Sequence, residues 1–245
     1  MIPKVIHQTA KTKNTTWEEG RLSRRLRKIL SDWEYHLWDD QDNDRLLAEG
    51  FPQHVDAYRR IRHGVLRADI ARCVYMHLFG GFYFDTDYRL FRSIPDAVLS
   101  ETCILPHEWG SIHLLGHDGG TESDWEKAFR LGNSVFGSRP GYGFWSDFIN
   151  YVFEEKKPDQ IVDATQIPGI SGPYALTRYF LQNRRRYKDA WVPEAKLFHA
   201  APAYFGLVNA TGGESYGVHL CWGSWRHLDL LGAAKTIARR KISAL

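Results

Sequence analysis

The chain has 245 residues, of which 43% are hydrophobic and 14% aromatic, enough to build a sizeable buried core. Its formal charge of +3 falls short of the basic surplus typical of nucleic-acid-binding proteins, so we expect no nucleic-acid partner. The three cysteines, Cys73, Cys103 and Cys221, are far apart and form no Cys-x-x-Cys pair, which argues against a disulfide framework and a structural zinc site.

Signals for export, membrane insertion or division into domains are missing from the sequence. No stretch approaches the roughly 18 apolar residues of a membrane span, and the first residues lack the apolar core of a signal peptide. No repeat or linker interrupts the chain. We therefore expect one domain over residues 1–245 and a cytoplasmic protein. A basic run at 21–28 is typical of a solvated helix face, with contact to an anionic membrane surface as the alternative.

The first forty residues predict a strand, a helix and a second strand. Val5–Thr9 reads as a strand, Trp17–Leu30 has apolar residues at helical spacing, and Trp33–Trp38 alternates as a strand does. Asp39 and Asp40 follow the second strand. Such a βαβ unit binds ligands at the carboxyl ends of its strands.

The most regular predicted helix runs from Val65 to Phe79, after a shorter helical tract at 53–62. Asp69 and Arg72 lie three residues apart beside its apolar stripe. If exposed, they form an ion pair worth a few tenths of a kcal/mol. The functional alternative is that this acid and base hold the hydroxyls and phosphate of a ligand.

The run Phe82–Phe84 is aromatic and β-prone, and Asp85 and Asp87 follow it directly. Residues two apart in a strand point to the same side, so both carboxylates should aim at one spot. Two hard oxygen ligands suit Mg²⁺ or Mn²⁺, and such an ion suits a diphosphate. The structural alternative is a solvated turn, where aspartate is common.

The continuous run from Leu66 to Asp87 resembles the core of the family 32-like glycosyltransferases with a "sugar-binding region containing DXD motif". The resemblance implies an α/β protein with the GT-A fold, in which a single mixed central sheet is flanked by helices. It also implies a nucleoside diphosphate sugar donor, a divalent metal and retention of anomeric configuration. By the same resemblance Asp69, Arg72 and Asp85 contact the donor, and these three residues and Asp87 form the catalytic set.

Two further segments resemble parts of this family. The opening strand places His7, Gln8 and Thr9 at the donor, although Ala10 stands where the family usually has a base-stacking tryptophan. Near the carboxyl terminus, His219 with Ser224 and Trp225 resembles a His-x-x-x-x-Ser-Trp signature. It implies that His219 joins Asp85 and Asp87 at the metal and that Ser224 and Trp225 close over the donor. An imidazole ligand favours Mn²⁺ over Mg²⁺.

The remaining segments give weaker predictions. Thr102–Leu105 reads as a strand and Phe144–Phe153 as a helix, while Ser171 is a candidate cap for a helix beginning near Pro173. The histidines between 107 and 117 are expected to be surface residues rather than metal ligands. The stretch 133–140 resembles the acceptor side of the family pocket. A last helix at 228–245 either rests on a membrane or packs on the domain.

Together these features predict a metal-dependent, retaining glycosyltransferase acting on a saccharide or glycolipid hydroxyl, as in capsule or lipooligosaccharide synthesis. Peripheral contact with the cytoplasmic face of a membrane stays an open expectation. Two alternatives remain: a catalytically silent protein that binds nucleotide sugars or saccharides, which Ala10 favours, and a phosphohydrolase with an aspartyl nucleophile.

Overall fold

In a computed structural model, which describes residues 1–108, 130–200 and 214–222, a six-stranded mixed sheet forms the centre of the molecule. Its strand order is β2-β1-β3-β6-β5-β7. β1 is parallel to both β2 and β3, and β6 runs antiparallel to β3 and β5. β4 and β8 form a separate antiparallel ribbon. The strands are β1 (Val5–Thr9), β2 (Glu34–Trp38), β3 (Gly81–Phe84), β4 (Tyr88–Leu90), β5 (Cys103–Ile104), β6 (Val135–Ser138), β7 (Ala190–Trp191) and β8 (Gly217–His219).

Helices cover the sheet and bury side chains on both of its faces. On β3, Tyr83 packs into one hydrophobic cluster, whereas Phe82 and Phe84 pack into the other, as strand alternation requires. No helix among the described residues is both long enough and apolar enough to cross a bilayer. The helices are α1 (Trp17–Ile29), α2 (Asp40–Gly50), α3 (Val55–Arg60), α4 (Gly64–Leu78), α5 (Asp96–Leu99), α6 (Gly143–Tyr151), α7 (Ile167–Ile170), α8 (Pro173–Asn183) and α9 (Ala195–Phe198).

The structure confirms the predicted first half of the sheet and adds a helix after β2. Asp39 was expected only to follow the strand, but its carboxylate accepts hydrogen bonds from the backbone of Gln41 and Asp42 and caps α2. The Asp42 carboxylate in turn accepts a hydrogen bond from the Asp39 backbone N–H, which completes a capping box. The predicted helical tract at 53–62 becomes a 3₁₀ turn, Pro52–His54, followed by the short helix α3.

The turn between α4 and β3 depends on Gly80 and Gly81, whose φ angles are +63° and +88°. A Cβ on Gly80 would lie 2.5 Å from the backbone nitrogen of Pro140, and one on Gly81 would lie 2.5 Å from the carbonyl oxygen of Val5. The turn therefore needs glycine both for its backbone angles and for its close approach to neighbouring segments. It brings the end of α4 directly onto the central strand.

Candidate functional site

The β4–β8 ribbon brings the carboxyl-terminal part of the chain to the end of β3. Tyr88 of β4 is paired with His219 of β8, and the Leu220 backbone N–H donates to the Asp87 carbonyl at 3.0 Å. This register places the His219 imidazole beside the two aspartates that follow β3. Segments far apart in sequence thus meet at one point.

Asp85, Asp87 and His219 form the cluster that the sequence predicted. One ligand atom from each residue lies within 4.8 Å of the other two. His219 Nε2 is 3.1 Å from Asp87 Oδ1 and 3.6 Å from Asp85 Oδ2, and all three side chains are at most 20% exposed. Two carboxylates and one imidazole at this spacing fit a divalent ion such as Mn²⁺ or Mg²⁺.

Each aspartate keeps one oxygen for the protein and turns the other toward His219. Asp85 Oδ1 accepts a hydrogen bond from the Tyr83 hydroxyl at 2.6 Å and lies 3.2 Å from Arg72 Nη1. Asp87 Oδ2 accepts from the Trp222 backbone N–H at 2.9 Å. These contacts fix the carboxylate orientations, so the cluster is held in place by the chain itself.

The electrostatics of the cluster favour positive charge. Burial raises the pKa of Asp85 despite the opposing effect of Arg72. Burial acts in the same direction on Asp87, but His219 and the Trp222 N–H outweigh it and lower that pKa. For His219, burial is outweighed by Cys221 and Asp87, which raise its pKa well above the ordinary value. The negative potential that stabilises a proton on His219 would also stabilise a divalent cation.

Asp69 and Arg72 form a buried pair behind the cluster, with side chains only 5% and 7% exposed. Arg72 Nη2 lies 3.2 Å from Asp69 Oδ1, while Nη1 donates to the Asn133 carbonyl at 2.6 Å. The guanidinium also covers the Tyr83 ring, 4.7 Å from its centroid. Asp69 and Arg72 therefore form a buried ion pair, not the exposed one considered from the sequence. Arg72 joins Asp69 to Asp85 inside the protein.

Asp69 has further partners that the sequence interpretation did not identify. Its Oδ1 accepts from Asn133 Nδ2 at 3.1 Å, and its Oδ2 accepts from the Ser171 hydroxyl at 3.0 Å. Burial raises the pKa of Asp69 to about 6, against the lowering effect of Arg72. Ser171 was predicted to cap the helix near Pro173, but the N-cap of α8 is Gly172 and no side chain caps it. The Ser171 hydroxyl instead donates to Asp69, which is distant in the sequence.

His7 and Gln8, predicted to lie at the donor, are completely buried. The Trp38 indole N–H donates to His7 Nδ1 at 3.0 Å, and His7 Nε2 lies 2.9 Å from the Gly80 carbonyl, which engages both ring nitrogens. Gln8 Nε2 donates to the Asp85 carbonyl at 3.1 Å. Because β1 lies beside β3, both side chains contact backbone carbonyls next to the site, His7 at Gly80 and Gln8 at Asp85. Their contact with a donor stays a prediction.

Thr9 lies half-buried at the end of β1. Its hydroxyl donates to the Trp38 carbonyl at 3.3 Å and accepts from Asn43 Nδ2 at 3.1 Å. Donor binding by Thr9 also stays a prediction. Ser224 and Trp225, the helix predicted at 228–245, and His113 and His117 lie outside the described residues.

A known protein family matches part of this chain. Residues 18–105 match the family described as "Glycosyltransferase sugar-binding region containing DXD motif". We refer to residues 18–105 by that description, as the sugar-binding region. This region contains Asp69, Arg72, Asp85 and Asp87, whereas His219 lies far beyond it. The ribbon pairing is therefore what adds the imidazole to the sugar-binding region.

Two curated yeast proteins are similar to the chain around and beyond the sugar-binding region. Mannosyl phosphorylinositol ceramide synthase SUR1 of Saccharomyces cerevisiae is 34% identical over 253 residues, covering 100% of this chain and 57% of the yeast protein. The CSH1 synthase of the same yeast is 28% identical over 187 residues, covering 76% of this chain and 44% of its own length. The chain thus spans about half the length of these relatives.

The solved structure titled PaToxG Glycosyltransferase has the same fold. It superposes with a TM-score of 0.53 at 14% identity, covering 76% of this chain and 75% of that one. With the mixed six-stranded sheet, this likeness identifies the GT-A fold that the resemblance of the sugar-binding region implied. At this level of identity it bears on the fold alone.

Proposed function

We propose that this chain transfers a hexosyl unit from a nucleoside diphosphate sugar to a hydroxyl of a saccharide or glycolipid, with a divalent ion held by Asp85, Asp87 and His219. The observation that carries the proposal is the convergence of these three ligand atoms within 4.8 Å, at the end of the central strand of a sugar-binding region. Ligand sites of open α/β sheets lie at this edge.

The proposed ion would neutralise charge growing on the departing diphosphate. Residues of the chain would orient the ligand oxygens for that chemistry. Tyr83 and Arg72 hold the inner oxygen of Asp85, and the Trp222 N–H holds that of Asp87, so the outer oxygens are oriented before a ligand arrives. Manganese is the preferred ion of the proposal because an imidazole is a softer ligand than a carboxylate.

Asp69 and Arg72 enter the proposal as positioning residues. Arg72 reaches Asp85 directly, and Asp69 restrains Arg72 while it accepts hydrogen bonds from Asn133 and Ser171. The pair therefore ties the site to the segments that lead into β6 and α8. Retention of anomeric configuration belongs to the proposal through the resemblance of the run 66–87.

We assign mannose as the transferred sugar and a phosphoinositol-containing lipid as the acceptor class, because the yeast relatives are named as mannosyl phosphorylinositol ceramide synthases. Such a lipid presents its hydroxyls at an anionic surface. Helix α1 carries four exposed basic side chains that suit contact with this surface: Arg24, Arg25, Arg27 and Lys28. A soluble saccharide acceptor is the competing outcome.

The test is a transfer assay with a panel of nucleoside diphosphate sugars, with Mn²⁺, Mg²⁺ or a chelator, and with phosphoinositol ceramide in mixed micelles. Released diphosphate and the mass of the product are measured. Asp87→Asn should lower turnover by at least about 100-fold, the usual cost of removing one group that stabilises developing charge. Asp56→Asn, on the exposed face of α3, is the matched control and should leave turnover unchanged.

Metal-dependent release of diphosphate in the wild type, lost in Asp87→Asn at an unchanged melting temperature, supports the proposal. Undiminished turnover in a folded Asp87→Asn variant would refute the assigned site. A product formed equally well in chelator would remove the ion from the proposal. The anomeric configuration of the product, read by NMR, tests retention.

A further inference from the structure

His219 has a second nitrogen, and it faces a different set of ligands. While Nε2 points to the aspartates, Nδ1 lies 3.3 Å from the sulfur of Cys221. Glu108 approaches the same place, and one ligand atom each from Glu108, His219 and Cys221 lies within 4.8 Å of the other two. This second group shares only the imidazole with the aspartate cluster.

The backbone at Cys221 is arranged so that its sulfur reaches the imidazole. Its φ angle is +50°, in the left-handed region that non-glycine residues seldom adopt. The sulfur also lies 3.6 Å from the His219 carbonyl, so the side chain folds back over the end of β8. Cys221 is exposed, and the thiol is therefore open to an ion from solvent.

Glu108 is oriented by Arg130. Its carboxylate lies 3.2 Å from Arg130 Nε, and its backbone N–H donates to the Arg130 carbonyl at 2.7 Å. Both side chains are about four-fifths buried. A carboxylate fixed by an arginine has one oxygen held and another free to serve as a ligand, as is common around metal sites.

We propose that Glu108, His219 Nδ1 and Cys221 form a binding site for a thiophilic divalent cation such as Zn²⁺. A thiolate, an imidazole and a carboxylate are the three ligand types that zinc takes from proteins. Tetrahedral zinc with ordinary bond lengths separates sulfur from nitrogen by about 3.5 Å. The observed 3.3 Å is close to that separation. A solvent molecule would complete the coordination, and hard ions would avoid the thiolate.

Occupation of this site changes which nitrogen of His219 carries the proton. The Cys221 thiol proton and any proton on Nδ1 are released to solvent when the ion binds. The neutral ring then keeps its proton on Nε2, where it donates to Asp87 and no longer offers a lone pair. The two sites therefore compete for His219. This competition rests on the proposed function, whereas zinc binding itself does not.

Binding is tested with Co²⁺, a spectroscopic substitute for zinc, added to the whole chain. A thiolate-to-cobalt charge-transfer band should appear and saturate at one equivalent in the wild type, and it should be lost in Cys221→Ser. Glu108→Gln should weaken binding by more than about tenfold, because even loss of a second-shell partner costs 10–100-fold. Asp56→Asn, on the exposed face of α3, is the matched control and should retain the band.

A wild type without the band, a band that persists in Cys221→Ser, or one that disappears in folded Asp56→Asn would each overturn the site. Competition is tested separately by the zinc concentration that halves transfer, normalised to the zinc-free activity of each variant. That concentration should rise more than about tenfold in Cys221→Ser. The cobalt band does not depend on transfer, so failure of the proposed function and failure of the thiophilic site are distinguishable.

Discussion

Arg72 balances the charge of two carboxylates, one near each terminal nitrogen of its guanidinium. Its side chain is 7% exposed and lies 3.2 Å from an oxygen of Asp69 and 3.2 Å from an oxygen of Asp85. Two buried carboxylates without a cation between them would repel one another and lose their hydration. Arg72 is thus required for Asp85 to keep its charge and orientation at this depth.

Substitution of Arg72 by methionine should be strongly destabilising. Removing one member of a buried ion pair typically costs about 3–5 kcal/mol, because the remaining charge is left uncompensated. Arg60→Met is the control, since Arg60 pairs with Asp159 at the surface with its side chain 62% exposed, where such pairs contribute about 0–1 kcal/mol. Urea unfolding at neutral pH measures both. Equal free energies of unfolding for the two variants would contradict the proposed role of Arg72.

At this scale the sequence predicted part of the site. The i,i+3 spacing placed Asp69 and Arg72 on one side of a helix, and the Asp-x-Asp spacing aimed two carboxylates at one point. The link from Arg72 to Asp85 was not predictable, because it depends on how α4 lies against β3. The hydrogen bond from Ser171 to Asp69 was missed for the same reason. A cap was the local interpretation of that serine, and its real partner is distant in sequence.

Helix α4 and strand β3 both position residues of the site, and the Gly80–Gly81 turn joins them. α4 carries Asp69 and Arg72, and β3 leads into Asp85. The turn fits against Val5 of β1 and Pro140, so there is no room for side chains at its two glycines. The relative positions of helix and strand consequently depend on this turn.

Gly81→Ala should destabilise the protein, whereas Gly64→Ala should not. At Gly81 a φ of +88° would place a Cβ 2.5 Å from the Val5 carbonyl oxygen, and backbone strain of this kind alone costs about 1–3 kcal/mol. Gly64 begins α4, and a Cβ added there would meet no atom within 4 Å, so alanine should stabilise by about 0.4–1 kcal/mol through the unfolded chain. Thermal unfolding gives the melting temperature of each variant. An equal change in melting temperature for Gly81→Ala and Gly64→Ala would contradict the proposed role of the turn.

Elements with regular periodicity were predictable, and elements set by polar capping or by distant pairing were not. β1, α1, β2, α4 and β3 appeared in the sequence as apolar patterns. α2 was missed because its acidic start reads as the polar end of a strand, although Asp39 and Asp42 form a capping box that could have signalled it. The pairing of β4 with β8 depends on chain closure over a long separation, which no local pattern encodes.

Two imidazoles from distant parts of the molecule, those of His7 and His199, are buried in neutral form. His7 lies beneath the α4–β3 turn, where burial lowers its pKa to about 3. His199 follows α9 and lies near the Ser134 hydroxyl and the His107 carbonyl, at 3.1 Å from each, and burial lowers its pKa to about 4. Both values lie below the ordinary histidine pKa of about 6.5 that applies to the unfolded chain.

These shifts predict a loss of stability in mild acid. Between about pH 6.5 and the folded pKa values, the unfolded chain binds protons at both histidines and the folded chain does not, so the contribution of these two residues to stability falls as the pH falls. At pH 5 each histidine should lower the free energy of unfolding by about 2 kcal/mol relative to pH 7, since each pH unit corresponds to about 1.4 kcal/mol. Urea unfolding at the two pH values gives the difference for the wild type.

The share of His199 is isolated by His199→Gln, which keeps hydrogen-bonding groups near Ser134 and the His107 carbonyl but cannot titrate. Its absolute stability will change, and the decisive quantity is the difference between pH 7 and pH 5, which should shrink by about 2 kcal/mol. The carboxylates and His219 titrate in both proteins and cancel in this comparison. His63→Gln, at a surface imidazole that bonds the Val162 carbonyl, is the control and should keep the wild-type difference. A His199→Gln variant with the full wild-type difference would show that His199 does not resist protonation in the folded state.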